Sequence, residues 1–394
     1  MNYLREYGGK TFEERPFSEV DSLVLAEMTY FKFDGLVGGF RNGRAARKPV
    51  TLEDLDAHAD RENMFTDEVY GKRYRKFFRL LRQSRRFRHL RMNYFINYID
   101  KDQEIQFSAI TFFLETGICY VGYRGTDETL VGWKEDFNMS YMSSVPSQRA
   151  ALAYFQRVAS LRSGPLMIGG HSKGGNLAVY VAANCEPRYQ RRLLTAYSFD
   201  GPGFPREFYQ NPGYKRIQNN ICKIVPADTL IGMILDNEMQ IHAVRSFGKG
   251  VIQHDPFLWI IKNGQLQYRQ NIYRRASHKI KVLNLWIDSL SATQIQDFVE
   301  ISYGILSATE AESVYEFTKG PIRYLLRILW AVRGLDRTAK KLIATVLGKL
   351  WKARFQVAEE TGKQSMEKVR SSASAASSNR SGRPAPLRSR SADT

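Results

Sequence analysis

The feature that most constrains this chain is a serine flanked by glycines, between a short apolar stretch and an apolar helix. The segment reads PLMIGGHSKGGNLAVYVAA, and within it Gly170 to Gly174 match G-x-S-x-G. Glycine two residues to each side of the serine lets a strand and a helix approach closely around a sharp turn. Such a turn would hold the Ser172 hydroxyl above a sheet, beside a helix N-terminus that stabilises negative charge. The pattern alone is common, but this context favours a nucleophilic serine.

The elements around this serine predict an alternation of strands and helices. Two strands joined by a tight turn, an amphipathic helix and three further strands are expected at 106–124, 147–162, 165–168, 193–199 and 221–225. Another strand pair is expected between 240 and 260. Because a helix followed by a strand is typical of parallel sheets, and because the serine motif joins a strand to a helix, the sequence predicts an α/β-hydrolase fold. Its mostly parallel central sheet would be flanked by helices.

A serine hydroxyl needs a base to become a nucleophile, and in this fold the order along the chain is serine, acid, histidine. Only His242, His254 and His278 follow Ser172. His254 lies in GKGVIQHDPF, a loop-like stretch of the kind found at a sheet end. His242 alternates with apolar neighbours, which indicates a position inside a strand. His254 is therefore the predicted base.

The acid is less sharply defined by the sequence. Asp228 directly follows the strand ICKIV, which favours it, although a helix cap before Thr229 would explain the same aspartate. Asp200, in SFDGPGF one strand earlier, is the alternative. Asp236 and Asp255 are less favoured, the latter because adjacent side chains in an extended segment point apart.

Ester hydrolysis also requires N–H donors for the tetrahedral oxyanion. The residue after the nucleophile, Lys173, supplies one from its backbone. The second is expected from the loop 123–127, which follows a predicted strand and contains Thr126 with both an N–H and a hydroxyl.

Two segments together carry a family resemblance. YRGTDETLVGWKEDFNMSY and IGGHSKGGNLA resemble the class 3 lipases, and more closely a bacterial lipase-like family with a GHSKGGN elbow, a YRGT loop and a QHDPxxW segment, here 253–259. The resemblance spans roughly residues 1–300. It implies an α/β-hydrolase whose nucleophile, base, acid and oxyanion donors are Ser172, His254, a residue near Asp228, and Thr126 with Lys173. Unlike the secreted class 3 lipases, the chain is expected to have neither a signal peptide nor disulfides.

Outside the motifs, the chain divides into a catalytic part and two C-terminal parts. We expect an α/β-hydrolase domain over 1–310, which includes an N-terminal helical region over 1–100 with helices near 18–30 and 67–91. Basic helices are expected over 311–360. Residues 361–394 are rich in Ser, Ala, Arg and Pro and poor in large apolar groups, which predicts a disordered basic tail.

The formal charge of +18 is concentrated in three segments. Residues 72–91 hold ten Lys or Arg and no acid, residues 320–356 hold nine against one Asp, and residues 361–394 hold seven against two acids. Regional charge of this kind suggests surfaces that face an anionic partner, and the phosphates of membrane lipid or nucleic acid are both candidates. No nucleic-acid-binding motif accompanies the charge, so no specific nucleic acid is expected.

Nothing in the sequence suggests a metal or an organic cofactor. The three cysteines lack CxxC spacing and the N-terminus lacks an apolar signal region, which predicts a cytoplasmic protein with reduced thiols. No run of about 18 apolar residues occurs, so contact with a membrane would be peripheral. The sequence as a whole predicts a serine hydrolase that cleaves a carboxylic ester, such as a phospholipid or lysophospholipid, through an acyl-enzyme. The alternatives are a non-catalytic binding module of this fold and a protein that binds anionic surfaces or nucleic acid.

Overall fold

A computed structural model describes residues 1–378 of the chain, apart from 42, 43, 46, 68, 69, 101, 127–131, 133, 136, 137, 140, 141, 236, 310 and 312–320. Its α-helices are α1 (Asn2–Tyr7), α2 (Glu19–Met28), α3 (Leu52–Ala57), α4 (Gly71–Gln83), α5 (Pro146–Leu161), α6 (Lys173–Asn184), α7 (Pro187–Gln190), α8 (Pro212–Ile217), α9 (Arg274–Asp288), α10 (Ala292–Ser307), α11 (Pro321–Gly334) and α12 (Arg337–Ser378).

Its strands are β1 (Phe40–Arg41), β2 (Arg44–Ala45), β3 (Arg91–Asp100), β4 (Ile105–Phe113), β5 (Cys119–Tyr123), β6 (Leu166–His171), β7 (Leu193–Phe199), β8 (Ile221–Pro226), β9 (Ile241–Val244), β10 (Ile261–Lys262), β11 (Gln265–Leu266) and β12 (Tyr268–Arg269). Eight of them form one sheet in the order β12-β9-β8-β7-β6-β5-β4-β3. Neighbours from β5 to β9 run parallel, whereas β3, β4 and β12 add antiparallel edges. The carboxyl ends of β5 to β8 therefore meet at one edge, which confirms the predicted α/β-hydrolase fold.

Helices cover both faces of the sheet. In β4, Ile110 and Phe112 belong to a core shared with the N-terminal helices α2 and α4. Phe107, Ala109 and Phe113 belong to a second core, shared with α5 and α6. This alternation follows from the two-residue period of a strand and explains why the central strands carry apolar side chains on both faces.

Most of the elements predicted before His254 lie where the pattern places them. Helix α2 falls within 18–30, and Ser18 caps it together with Asp21. The antiparallel pair β4 and β5, the helix α5 and the strands β6, β7 and β8 match their predicted positions to within three residues at most ends. His242 lies inside β9, as its alternating neighbours indicate.

Three expectations about element boundaries were wrong. The helix predicted over 67–91 ends at Gln83, because Ser84 takes an extended conformation and its hydroxyl donates to the carbonyl of Gly8. The N-terminal region is not wholly helical, since Arg91–Asp100 forms the edge strand β3. Strand β9 pairs with β8 and β12, so the pair expected between 240 and 260 is reduced to one bridge between Ser246 and Trp259.

The C-terminal helices pack on α9 and α10. Trp286 of α9 donates to the carbonyl of Val346 in α12 at 2.9 Å, and Lys349 of α12 donates to the carbonyl of Ser289 at 2.6 Å. Helix α12 continues to Ser378, although we expected disorder from 361 onward. Residues 379–394 of the expected tail lie outside the described residues.

Candidate active site

The serine of the G-x-S-x-G motif occupies a sharp turn between β6 and α6. Ser172 has φ 58° and ψ −130°, a conformation that a residue with a side chain adopts only under constraint from its surroundings. Its N–H donates to the carbonyl of Phe199 on the neighbouring strand at 2.9 Å. Backbone strain of this kind at the end of a parallel strand is the defining geometry of a nucleophile elbow.

The two glycines of the motif are required by the space around the turn. A Cβ at Gly170 would lie 2.4 Å from the carbonyl carbon of Gly174 and 2.5 Å from the oxygen of Tyr123. A Cβ at Gly174 would lie 2.2 Å from that same Tyr123 oxygen. Contacts this short to backbone atoms cannot be relieved by moving a side chain. Only glycine therefore permits this close approach of β5, β6 and α6.

His254 contacts an aspartate at the same edge of the sheet. Its Nδ1 lies 2.7 Å from Oδ2 of Asp200, which is 1% exposed. The other oxygen of Asp200 accepts from the hydroxyl of Thr229 at 2.6 Å and from the N–H of Gly232 at 3.1 Å. A carboxylate held by these donors fixes the orientation of the imidazole and leaves Nε2 of His254 as the acceptor.

Among the described contacts of Asp228, the favoured acid of the sequence analysis, none is to the His254 ring. Its Oδ2 accepts from the N–H of Gly250 at 2.6 Å, and its own N–H donates to Oε1 of Gln253 at 3.0 Å. Asp228 therefore holds the backbone of the loop that carries His254. The alternative, Asp200, forms the contact because it follows β7, the strand adjacent to the elbow strand β6, whereas Asp228 follows β8, one strand further away.

The QHDPxxW segment forms a tight loop around His254. The indole of Trp259 donates to the carbonyl of Gln253 at 2.8 Å. Asp255 accepts from the N–H of Phe257 at 3.0 Å and forms an ion pair with Arg73 of α4. The Asp255 carboxylate is therefore paired with helix α4 of the N-terminal region. Its side chain points away from His254, as expected for an adjacent residue.

His171, beside Ser172, was not singled out from the sequence. Its ring lies 4.4 Å from the His254 ring, and its Nε2 lies 2.8 Å from the carbonyl of His254. Since a carbonyl only accepts, Nε2 carries the proton, and Nδ1 accepts from the hydroxyl of Tyr30 at 3.2 Å. Burial lowers the pKa of His171 well below its usual range, so the ring is neutral at physiological pH. Its position one residue before the serine was the available signal.

The region behind His171 comes from the N-terminal helices. Glu27 of α2 lies 3.8 Å from Nδ1 of His171, and the hydroxyl of Tyr74 donates to Glu27 at 3.4 Å. Burial, followed by the charge of Asp255, raises the pKa of Glu27 to about 8. This carboxyl group is therefore protonated at neutral pH in the folded protein.

The YRGT loop lies against the elbow. A Cβ at Gly125 would be 2.6 Å from the carbonyl oxygen of His171 and 3.1 Å from Cβ of Ser172, so only glycine fits there. Thr126 follows directly and is half-buried. Asp127 lies outside the described residues, as does Asp236. Thr126 therefore follows directly after Gly125, the loop residue that lies against Ser172.

The side chain of Lys173 is buried beneath the elbow. Its Nζ donates to Oε2 of Glu135 at 3.0 Å and to the carbonyl of Gln106 at 2.9 Å. The other oxygen of Glu135 accepts from the N–H of Ser147, at the start of α5, at 2.8 Å. One buried ion pair therefore connects the elbow, β4 and α5, and it anchors the residue whose backbone N–H follows the serine.

The remaining histidine candidates lie elsewhere. His242 stacks edge-on against Tyr268 of the edge strand β12, with ring centroids 5.9 Å apart, and His278 is half-buried within α9. His254 is thus the downstream histidine that the structure brings to Asp200 and to the neighbour of Ser172.

The sheet order, the strained serine turn and the histidine–aspartate contact define the class of α/β-hydrolase-fold proteins. The family model of Mbeg1-like proteins matches residues 81–304, which is more than half of the chain. The chain therefore belongs to the Mbeg1-like family. The matched range contains Ser172, Asp200 and His254 but neither the helices α1 to α3 nor α11 and α12.

The solved structures similar to the chain include two lipases at low identity, and no curated protein matches it. A crystal structure of M37 lipase has a TM-score of 0.34 and 13% identity, and the alignment covers 55% of this chain and 70% of the lipase. The native propeptide complex of Rhizomucor miehei lipase has a TM-score of 0.30 and 11% identity, with 52% and 76% covered. Such scores are too low to support an argument, so the fold assignment rests on the topology.

Proposed function

We propose that this protein is a serine hydrolase that cleaves a carboxylic ester, with a lipid as the preferred substrate class. The single observation that supports this most strongly is the 2.7 Å contact of His254 with buried Asp200 beside a serine in a strained elbow. A binding module would need neither a strained serine nor a buried acid that orients an imidazole. The lipid preference follows from the resemblance to lipase-like sequences.

The proposed reaction uses three side chains in sequence. Ser172 Oγ attacks the ester carbonyl carbon while its proton passes to Nε2 of His254, and Asp200 stabilises the resulting imidazolium through Nδ1. The tetrahedral intermediate collapses as the carbon–oxygen bond to the alcohol breaks, and the alcohol leaves with the proton of His254. Water then attacks the acyl carbon while its proton passes to Nε2 of His254. The bond from that carbon to Ser172 Oγ breaks as His254 returns the proton to Oγ, which releases the acid and restores Ser172.

The oxyanion of each intermediate would accept from the backbone N–H of Lys173 and from Thr126. Among the described residues Ser172 Oγ forms no hydrogen bond, and such bonds often tighten only when substrate is bound. The anchoring of Lys173 by Glu135 keeps the elbow rigid before the substrate arrives, as a preorganised site requires.

Labelling by a fluorophosphonate probe tests this proposal. We expect wild-type protein to label, and Ser172→Ala and His254→Ala to lose labelling. Asp200→Asn should lower kcat for a nitrophenyl ester by about 10⁴-fold, because the imidazole loses its orienting carboxylate. Asp228→Asn is the matched control and should retain far more activity. A chain-length series of nitrophenyl esters then tests the lipid preference.

Three outcomes would overturn parts of the proposal. Folded wild-type protein that neither labels nor hydrolyses any ester would favour the non-catalytic binding module. Asp228→Asn as damaging as Asp200→Asn would remove the assignment of Asp200 as the acid. Equal rates for short and long acyl chains would refute the lipid preference and leave a general esterase.

A further inference from the structure

Helix α11 presents large apolar side chains to the outside of the protein. Five of them are more than half exposed, namely Ile322, Leu325, Leu326, Leu329 and Trp330. The opposite face is the one that packs on the protein, where Tyr324 is buried. Their spacing of three and four residues puts the five on one face of the helix. Soluble proteins rarely expose so large a contiguous apolar surface unless something binds it.

Helix α12 repeats this arrangement. Val346, Ala353 and Val357 are buried on one face, against α9 and α10. At four-residue spacing on another face, Leu347, Trp351 and Phe355 are 45%, 57% and 61% exposed. The rings of Trp351 and Phe355 stack on each other with centroids 5.7 Å apart. Both C-terminal helices thus combine a buried stripe with an exposed apolar stripe.

Basic side chains accompany the exposed stripes. Residues 320–356 contain nine Lys or Arg and one acid, Asp336. Arg333 follows Leu329 and Trp330 by one helical turn, and Arg354 follows Trp351 by three residues, so each shares a face with exposed apolar groups. A stripe of Leu, Trp and Phe bordered by arginine matches the composition of helices that lie in a membrane interface.

The basic segment 72–91 does not offer an equivalent surface. Six of its arginines form ion pairs with acids of the fold, namely Arg73, Arg75, Arg82, Arg85, Arg86 and Arg88. Its apolar side chains, such as Phe77 and Phe78, are buried. The charge of that segment is largely balanced by its neighbours, whereas the charge of the C-terminal helices faces outward together with apolar groups.

We propose that α11 and α12 bind the surface of an anionic lipid bilayer through these exposed stripes. A second copy of the chain would bring two equally basic surfaces together, and nucleic acid would leave the leucines and tryptophans without apolar contact. An anionic bilayer satisfies both chemistries, since its phosphates attract the arginines and its acyl boundary accepts the apolar groups. No helix of the described chain is long and apolar enough to cross a bilayer.

This inference deepens the proposed function, because a protein held at a bilayer meets lipid esters directly, but its test does not depend on catalysis. Full-length protein is sedimented with vesicles of phosphatidylcholine, with or without phosphatidylserine. We expect binding to the vesicles that contain phosphatidylserine, and weaker binding as salt is raised. Leu326→Ser with Trp330→Ser should weaken binding by about tenfold to 100-fold, as should Trp351→Ser with Phe355→Ser.

The matched control replaces exposed apolar residues of the sheet, Ile99→Ser with Leu194→Ser, and should bind within about twofold of wild type. All variants should keep the wild-type melting temperature and the wild-type rate on a short, soluble nitrophenyl ester, so loss of binding is separable from failure of the proposed function. Equal binding to both kinds of vesicle, or no binding at all, would overturn the inference. A dimer of wild type that the α11 variant breaks would do so too, since a second copy would then cover the face.

Discussion

Two strongly basic segments of this chain use their positive charge in opposite ways. In 72–91, arginines alternate with buried aromatic residues and reach acids contributed by α2, α3 and the loops around them. In 320–356, basic residues lie beside exposed leucine and tryptophan side chains. The comparison shows that a basic segment indicates a partner only when the fold supplies neither counter-charges nor a cover for its apolar face.

The difference has functional consequences at the site. The N-terminal helices contact the loop that carries His254, 250–259, through Arg73, Phe77 and Tyr74, and contact His171 through Tyr30. The C-terminal helices attach through α9 and α10. We therefore expect changes in the first region to affect stability and catalysis, and changes on the exposed faces of the second to affect binding alone.

The largest expected effect is on stability, at the buried pair of Arg86 and Asp21. Both side chains are 0% exposed, and Arg86 also donates to the carbonyls of Thr11 and Arg15 at 2.8 and 2.9 Å. Arg86→Met leaves the Asp21 carboxylate buried without its counter-ion, so the free energy of unfolding should fall by about 3–5 kcal/mol. Urea denaturation measures it.

The matched control lies in the second region. Arg354 is exposed on α12, and Arg354→Met should change the free energy of unfolding by about 0.5 kcal/mol at most. If both substitutions cost the same, the two basic segments do not differ in the way that their contacts indicate.

The fold could be predicted from the sequence for reasons that are local, whereas the roles of the site residues stay predictions. The elbow is defined by glycines at fixed spacing, and His254 could be chosen because only three histidines follow Ser172. The sequence could not decide between Asp200 and Asp228, because the contact with His254 depends on the spatial order of the strands. Both aspartates follow strands, and only the pairing of β7 with β6 places Asp200 nearer the elbow.

Contacts between segments that are distant in the chain could not be predicted from the sequence pattern either. Nothing near Arg86 in the chain shows that Asp21 will neutralise it. Likewise, His171 reads as a variable position of the motif until the structure shows its bond to the carbonyl of His254. The oxyanion role of Thr126 stays a prediction.

The second expected effect is a dependence of stability on pH that arises in the N-terminal layer. Glu27 has a pKa of about 8 in the folded protein and an ordinary value when unfolded, so between these values the folded state binds the extra proton. Its contribution is fully present below the unfolded pKa and is lost as pH rises to about 8. The slope should be about 1 kcal/mol per pH unit.

Glu27→Gln should remove that slope, because glutamine does not titrate. Glu359→Gln, on the exposed side of α12, is the control and should leave it unchanged. Urea denaturation at a series of pH values between 5 and 9 distinguishes the two. A Glu27→Gln profile as steep as that of wild type would assign the pH dependence to another group.

The smallest expected effect is on kcat, at the contact between helix α4 and the loop that carries His254. Arg73 pairs with Asp255, the neighbour of His254, and its guanidinium lies 5.3 Å from the ring of Phe257. The pair is partly exposed, so its loss should lower kcat by about fivefold and leave KM for a soluble ester unchanged. Arg79→Met, on the exposed side of the same helix, should have no effect.

A double-mutant cycle decides whether Arg73 acts through Asp255. If it does, Asp255→Asn should lower kcat as much as Arg73→Met, and the two changes together should cost no more than either alone. Additive losses would mean that Arg73 supports α4 in general rather than positioning His254.

The Leu326→Ser, Trp330→Ser variant should leave kcat for the same ester unchanged. A fall in the kcat of this variant would show that the C-terminal helices also affect the loop that carries His254. The functional separation of the two basic segments would then be wrong.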